Sequence, residues 1–188
     1  MSDARPLRAD AQRNRARILQ VAFEAFASEG LGVSVHEIAR RAGVGTGTVS
    51  RHFPTKESLY EAVVLSRVGW LTEQAARLAR SDDPGAAFFE FFALIVAEGA
   101  ANRAMADALA GACFDLDSAA KREGIDVIGA LSDLLARAQR AGAVRGDADT
   151  ADVKALITGC LARTPQENPA ALDRMISIAT QGLASSGR

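Results

Sequence analysis

The sequence predicts an all-α fold, and three observations support this prediction. The chain of 188 residues contains 39 alanines against 16 glycines and 5 prolines, a composition that favours helix. Apolar residues recur at intervals of three and four along most of its length. Residues that cap helices stand before these periodic segments, and glycines follow several of them. We therefore expect about nine helices, divided between a small N-terminal domain and a larger C-terminal domain.

The first helix is expected over residues 10–29. Its apolar residues recur at the spacing that makes one stripe along a helix, and Gly30 follows as a stop signal. The segment before it contains Arg5 and Arg8 without an apolar pattern. We therefore expect residues 1–9 to form a flexible basic tail.

Two short helices joined by a tight turn are expected next. Ser34 and Glu37 form a capping box, in which the hydroxyl and the carboxylate each satisfy a backbone amide at the start of the first short helix. Gly43 can take a left-handed conformation at the turn that follows. The second short helix, over residues 46–52, ends before Pro54, because a proline disfavours helical geometry in the preceding residue.

The remaining helices are predicted from the same kinds of signal. Thr55 caps a long helix, while Asp83 and Asn168 each stand before a proline at a first helical position. Gly142 ends another helix. The expected helices lie at residues 55–79, 84–101, 103–111, 118–141, 150–163 and 169–184.

Composition argues against several classes of protein. The most apolar stretch is interrupted by Glu90 and Glu98, so we expect no membrane span, and no secretory leader is visible, which favours the cytoplasm. Cys113 and Cys160 are too few for a disulfide framework or a four-ligand zinc site. With two histidines and no recognisable pair of nucleophile and base, we expect no enzyme activity, no metal and no cofactor.

Charge divides the chain at residue 56. Residues 1–56 carry nine Lys and Arg against five Asp and Glu, a net charge of +4. Residues 57–188 carry 13 against 18, a net charge of −5. A basic head on an acidic body indicates a polyanion partner for the head, although a solvated basic surface produces the same pattern.

The two short helices and the amphipathic helix before them are the parts of a helix-turn-helix. The polar residues of the second short helix lie off the apolar contact made by Val49, and they suit a DNA groove. Thr and Ser hydrogen-bond base edges or phosphates, and Arg pairs with guanine. His36, in the first short helix, is expected to be a solvated residue. The candidate DNA-binding residues are Ser34, Thr46, Gly47, Thr48, Ser50, Arg51, His52 and Lys56.

Residues 34–60, SVHEIARRAGVGTGTVSRHFPTKESLY, resemble the DNA-binding signature of TetR-type one-component transcriptional regulators. In that family a helix-turn-helix is followed by a His-Phe-x-x-Lys-Glu-x-Leu segment, which here begins at His52. The resemblance implies a homodimer that binds a palindromic double-stranded DNA operator, most often as a repressor, and a DNA-backbone contact for His52. Ser50 stands where the family usually has an aromatic residue, so the contact of that ring does not carry over, and Arg51 is the candidate to replace part of it.

The same resemblance implies a division of labour. Residues 10–56 would bind DNA, and residues 57–188 would bind a small apolar or amphipathic effector and form the dimer. Four phenylalanines within residues 88–92 give the helix expected at residues 84–101 a wide apolar face. This face either packs entirely in the core or partly lines an effector cavity. The candidate ligand-binding residues are Trp70, Phe88, Phe92, Met105, Cys113 and Phe114.

Two apolar stripes near the C-terminus suit dimerisation, although both could instead face the internal core. Other interpretations also remain open: a helical protein-interaction module, or a regulator switched by a protein partner or by oxidation of Cys113 or Cys160 rather than by a small ligand. The candidate dimer residues are Val153, Leu156, Ile157, Cys160, Leu161, Leu172, Met175, Ile176, Ala179 and Leu183.

Overall fold

The computed structural model describes residues 4–101, 119–120, 122–162 and 169–185. Within these ranges the secondary structure is helical, with no strand, and the predicted all-α fold is confirmed. The predicted helix at 103–111 and the predicted cap at Asn168 lie outside the described residues. The helices are α1 Ala4–Glu29, α2 Val35–Arg41, α3 Thr46–His52, α4 Lys56–Leu78, α5 Pro84–Ala101, α6 Val127–Arg140, α7 Thr150–Ala162 and α8 Pro169–Leu183.

The described residues divide into two compact units, an N-terminal unit that ends at Ser66 and a C-terminal unit that begins at Arg67. The helix α4 contributes its first half to the N-terminal unit and its second half to the C-terminal unit. In the N-terminal unit, α1, α2 and α3 pack around a shared apolar core. The side chains at its centre are Ile18, Phe26, Ile38, Val49 and Leu59.

The turn between α2 and α3 has the predicted chemistry. The backbone N–H of Glu37 donates to Ser34 Oγ at 3.1 Å, which caps α2. Gly43 has a φ of +64°, in the left-handed region that only glycine adopts without strain. Val49 is completely buried, so α3 is fixed against the core along one side. These local signals therefore explain how the two short helices meet.

The carboxylate of Glu37 does not complete the predicted capping box. It accepts hydrogen bonds from Arg40 Nε at 2.8 Å and from Arg41 Nε at 2.7 Å, so it pairs with side chains on its own helix instead of with a backbone amide. Arg41 also donates to Glu29, at the end of α1. The hydrogen bonds from Arg40 and Arg41 lower the pKa of Glu37 to about 2.

We expect the stability conferred by the Glu37 carboxylate to depend on pH. Because the pKa of this group is depressed on folding, its contribution is present above the ordinary value of 4.5 and is lost as the pH falls towards about 2. The free energies of unfolding of the wild type and of Glu37→Gln, measured by chemical unfolding, should therefore differ at pH 7 and converge between pH 4.5 and 2. The exposed Glu57→Gln serves as a control, and a wild-type advantage that stays constant to pH 2.5 would contradict the assignment.

Two predicted helix boundaries are wrong. The first helix begins at Ala4 rather than at residue 10, because the segment before residue 10 consists largely of helix-forming residues and its one proline lies in the first turn, where it is tolerated. The helix predicted at 118–141 is interrupted. Gly124 takes a φ of +70°, and the Asp126 side chain then accepts from the backbone N–H of Gly129 at 2.7 Å, so that α6 begins at Val127.

The helix α5 lies at the centre of the C-terminal unit, in contact with α6, α7 and α8. Phe88, Phe91 and Phe92 are completely buried in it. The close approach of α5 to the segment after α6 depends on Gly85, since a Cβ at that position would lie 2.5 Å from the Cβ of Ala143. The wide apolar face of α5 is therefore explained by its contacts with three neighbouring helices.

By length and hydropathy, α5 would suffice to cross a membrane, and it is the one described helix that does. Its phenylalanines, however, pack against neighbouring helices inside the protein. On the opposite side, Glu90 is exposed and its Oε1 accepts from Arg77 Nη2 at 2.9 Å. These are the surroundings of a core helix, and they account for the high hydropathy without a membrane.

Candidate nucleic-acid interface and effector region

The exposed side of α3 is a continuous polar surface. Thr46, Gly47, Ser50 and Arg51 are all exposed, whereas Val49 on the other side is buried. At about 100° per residue these four positions span an arc of about 140° around the helix. We refer to these four residues as the exposed arc of α3; a short helix with such a surface can enter a major groove and hydrogen-bond base edges.

Thr48 and His52 lie on the flank of α3 and are half-buried. The ring of His52 lies beside that of Phe53, with 6.1 Å between ring centroids. Above the Phe53 ring, 5.5 Å from its centroid, lies the guanidinium of Arg15 from α1. The end of α3 therefore has a cationic neighbour that the helix-turn-helix pattern alone does not place there.

Ser34 and Lys56 lie at the edges of the motif and already have partners within the protein. The Ser34 oxygen accepts the Glu37 amide, which leaves its own O–H available to donate to a phosphate. The Lys56 ammonium, at the start of α4, donates to the backbone oxygen of Leu31. An ammonium has three N–H donors, so this bond leaves two for other acceptors and also holds the side chain in place.

The predicted ligand-binding residues that the structure describes lie in the C-terminal unit. Phe88 and Phe92 are completely enclosed by the protein, and Trp70 is half-buried. The guanidinium of Arg67 lies over the Trp70 ring, 4.5 Å from its centroid. Arg67 Nε also donates to Glu98 Oε2 at 2.9 Å. Met105, Cys113 and Phe114 lie outside the described residues.

The sequence reasoning missed the ion pair between Arg67 and Glu98. Only 19% of the Arg67 side chain and 15% of the Glu98 side chain are exposed. Charged groups are seldom covered to this extent unless they are paired. The two residues lie on α4 and α5, 31 positions apart, and no local pattern links them. The one sequence signal is Glu98 itself, a charged residue within the most apolar helix.

Of the two candidate cysteines, the structure describes Cys160, and this residue lies in the protein interior. Cys160, on α7, is almost completely buried, and burial raises the pKa of its thiol. Because the thiolate is the reactive form, this environment works against oxidation at Cys160. Among the described residues there is also no group of three His, Cys, Asp or Glu side chains that could hold a metal ion.

The two C-terminal stripes divide between the interior and the surface of the unit. On α7, Leu156 is 37% exposed and Leu161 is half-buried. On α8, Leu172, Met175 and Ile176 are half-buried. Five of the predicted dimer residues pack in the core of the same chain: Val153, Ile157, Cys160, Ala179 and Leu183.

A groove of about 660 Å³ lies between α7 and α8, and we refer to it as the α7–α8 groove. Leu156 and Ile178 line it, together with the ion pair in which Arg145 Nε lies 2.6 Å from Asp147 Oδ1. Ile178 is 65% exposed, more than any other large apolar side chain in the described structure. It was missed because Ile178 lies about 60° around the helix from Met175, outside the arc of the predicted stripe.

Two family models match the chain. Residues 18–63 match one described as bacterial regulatory proteins, tetR family. Residues 83–185 match one described as transcriptional regulator SbtR-like, C-terminal domain. The first match contains the whole helix-turn-helix, and the second contains α5 to α8.

Solved structures and curated relatives agree with these matches. The crystal structure of a TetR transcription regulatory protein from Mycobacterium vanbaalenii is 46% identical, covers 95% of this chain and 99% of that chain, and has a TM-score of 0.75. A TetR transcriptional regulator from Streptomyces coelicolor is 30% identical, with coverage of 92% and 99% and a TM-score of 0.73. An HTH-type transcriptional regulator from Staphylococcus aureus is 41% identical over 59 residues, 31% of this chain and 32% of its own length. The chain thus spans about a third of that curated relative.

Proposed function

The chain belongs to the TetR family of bacterial transcriptional regulators, and from this premise we propose that it is a repressor that binds a palindromic operator as a homodimer and is released by a small-molecule effector. The observation that carries the proposal is the exposed arc of α3, a polar surface turned outward because Val49 packs the opposite side into the core. The site of action is the cytoplasm, where an operator is accessible.

Within this proposal, Arg51 reads a base and Lys56 contacts the phosphate backbone. A guanidinium at the exposed side of α3 reaches guanine in the major groove, which distinguishes one sequence from another. The ammonium of Lys56, held by the Leu31 carbonyl at the edge of the motif, meets phosphates that every sequence presents alike. Ser34 and the remaining residues of the arc add hydrogen bonds around these two cations.

Variants of these two residues should therefore differ in kind. Arg51→Ala is expected to weaken binding to the DNA upstream of the protein's own gene by about 1 to 3 kcal/mol, with little change on random DNA. Lys56→Ala is expected to weaken binding to both duplexes alike and to reduce the slope of affinity against salt by about one. Titrations at two salt concentrations measure both effects, and an Arg51→Ala loss that is equal on the two duplexes would contradict base reading.

A second copy of the chain is the occupant we propose for the α7–α8 groove. A single helix-turn-helix reads few base pairs, so pairing two copies across a palindrome supplies the missing affinity. Leu156 and Ile178 would provide the apolar centre of the interface, and the Arg145–Asp147 pair would lie at its rim. The five predicted dimer residues that are buried would hold α7 and α8 in place beneath this interface.

The effector is proposed to bind in the C-terminal unit near Trp70, Arg67 and Glu98. A small amphipathic molecule could place a polar group on this ion pair and an apolar part along the adjoining Trp70 ring. The helix α4 contributes residues to both units, so it is the element through which a change in the C-terminal unit would reach the DNA-binding motif. Release then follows from a higher effector affinity for the state that does not bind DNA.

A further inference from the structure

His36 and Thr46 form a hydrogen bond across the helix-turn-helix. His36 is the second residue of α2, Thr46 is the first residue of α3, and 3.2 Å separates Nδ1 from Oγ1. Both side chains are exposed, and Thr46 belongs to the exposed arc of α3. The histidine is therefore not merely a solvated helix residue, since it touches the first residue of the proposed recognition helix.

The start of α3 has few other side-chain restraints. Its N-cap is Gly45, which has no side chain to bond the first turn, although the backbone N–H of Thr48 donates to the Gly45 oxygen at 2.8 Å. The backbone of the turn is therefore held by its own hydrogen bonds. The Thr46 hydroxyl is hydrogen-bonded to a group from the neighbouring helix, the His36 imidazole.

From this geometry we propose that His36 is a positioning residue for operator recognition, one that fixes the Thr46 hydroxyl before DNA binds. The inference rests on the proposed function. A threonine hydroxyl has one hydrogen and two lone pairs. When Nδ1 accepts that hydrogen, the lone pairs are left for amino groups of bases; when Nδ1–H donates, the hydrogen is left for base acceptors. In both cases the side chain is ordered in advance, and less freedom is lost on binding.

Five single variants separate this role from its alternatives. His36→Asn keeps a polar atom at the Nδ1 position, whereas His36→Gln places one at the Nε2 position and His36→Ala keeps neither. Thr46→Ser keeps the hydroxyl, and Thr46→Val removes it at nearly constant shape. The double variant His36→Ala, Thr46→Val then measures the coupling between the two side chains.

The test uses full-length protein with the tightest duplex selected from a randomised pool and with a random duplex of equal length. We expect His36→Ala and Thr46→Val each to weaken binding to the selected duplex about 3- to 10-fold. The affinity loss of the double variant should be no greater than the larger of the two single losses. Thr46→Ser and His36→Asn should stay within about twofold of the wild type, whereas His36→Gln should not. Binding to the random duplex should change little, and thermal melts check that each variant is folded.

Two outcomes would overturn the inference while leaving the proposed function intact. Losses that multiply in the double variant would show that His36 and Thr46 act independently. Rescue by His36→Gln and not by His36→Asn would show that the imidazole contacts DNA directly through Nε2. If instead the wild-type protein prefers no duplex in the pool, the proposed function fails, and the inference fails with it.

Discussion

Substitution of Ile178 by glutamate is expected to convert the proposed homodimer into monomers and to weaken operator binding at least about 100-fold. The side chain is 65% exposed beside the α7–α8 groove, so a charge there is tolerated by the folded monomer but would be buried without a partner in the dimer. Without the dimer, each helix-turn-helix binds its half-site alone and the gain from linking two sites is lost. Sedimentation at micromolar concentration and operator titration measure the two effects.

Ile128→Glu is the matched control for this experiment. Ile128 is 36% exposed on α6 and does not line the groove, and a carboxylate in the first turn of a helix is electrostatically favourable. We expect it to leave the oligomeric state and operator affinity unchanged, while Leu156→Glu on α7 should repeat the effect of Ile178→Glu. A stable dimer in both groove variants would show that the second copy binds elsewhere.

Truncation of Phe91 to alanine is expected to lower the free energy of unfolding by about 3 to 5 kcal/mol. The ring is completely buried at the centre of the C-terminal unit, where α5 contacts α6, α7 and α8. Its removal takes away apolar contacts and leaves a cavity that the surrounding helices fill only in part. Chemical unfolding at a fixed protein concentration measures the loss, because dimerisation adds a concentration-dependent term to stability.

Phe89→Ala provides the comparison within the same helix. Phe89 is half-buried and its ring meets that of Phe88 edge to face, with 5.3 Å between centroids. We expect a loss of less than half that of Phe91→Ala, since less apolar area leaves the interior. Equal losses in the two variants would contradict the position of α5 as the core helix of its unit.

Much of the N-terminal unit could be predicted because its signals are local. The Ser34 cap, the left-handed Gly43 and the proline that ends α3 each act within a few residues of their own position. Buried Val49 then determines which side of α3 is exposed. Local propensity, capping and turn chemistry all agree in this segment, and such agreement is what makes a structure readable from one sequence.

The two wrong boundaries lie where the apolar pattern is interrupted or absent. In the segment predicted as one helix from residue 118, Gly124 and Asp126 are a stop signal and a cap placed two positions apart, and the structure uses both. At the N-terminus no apolar stripe precedes residue 10, so the apolar pattern predicts no helix there. Charged and small residues also form helix, and α1 extends to Ala4 through such residues.

The candidate sites could be predicted only in part, because contacts between helices cannot be read from the spacing of residues within one helix. A stripe at three-and-four spacing shows that one side of a helix is apolar, but not which partner covers it, and five stripe residues on α7 and α8 pack within their own chain. The contacts of His36 with Thr46 and of Arg67 with Glu98 join residues on different helices. Only the folded arrangement reveals these contacts.

The central claim is that α3 presents its exposed arc to a palindromic operator from two copies of the chain. Hydroxyl-radical footprinting of the wild-type protein on the DNA upstream of its own gene tests this most directly. We predict two protected half-sites related by a dyad, lost in Ile178→Glu and weakened in Arg51→Ala. An unprotected upstream region, or protection that is equal on scrambled DNA, would contradict the claim.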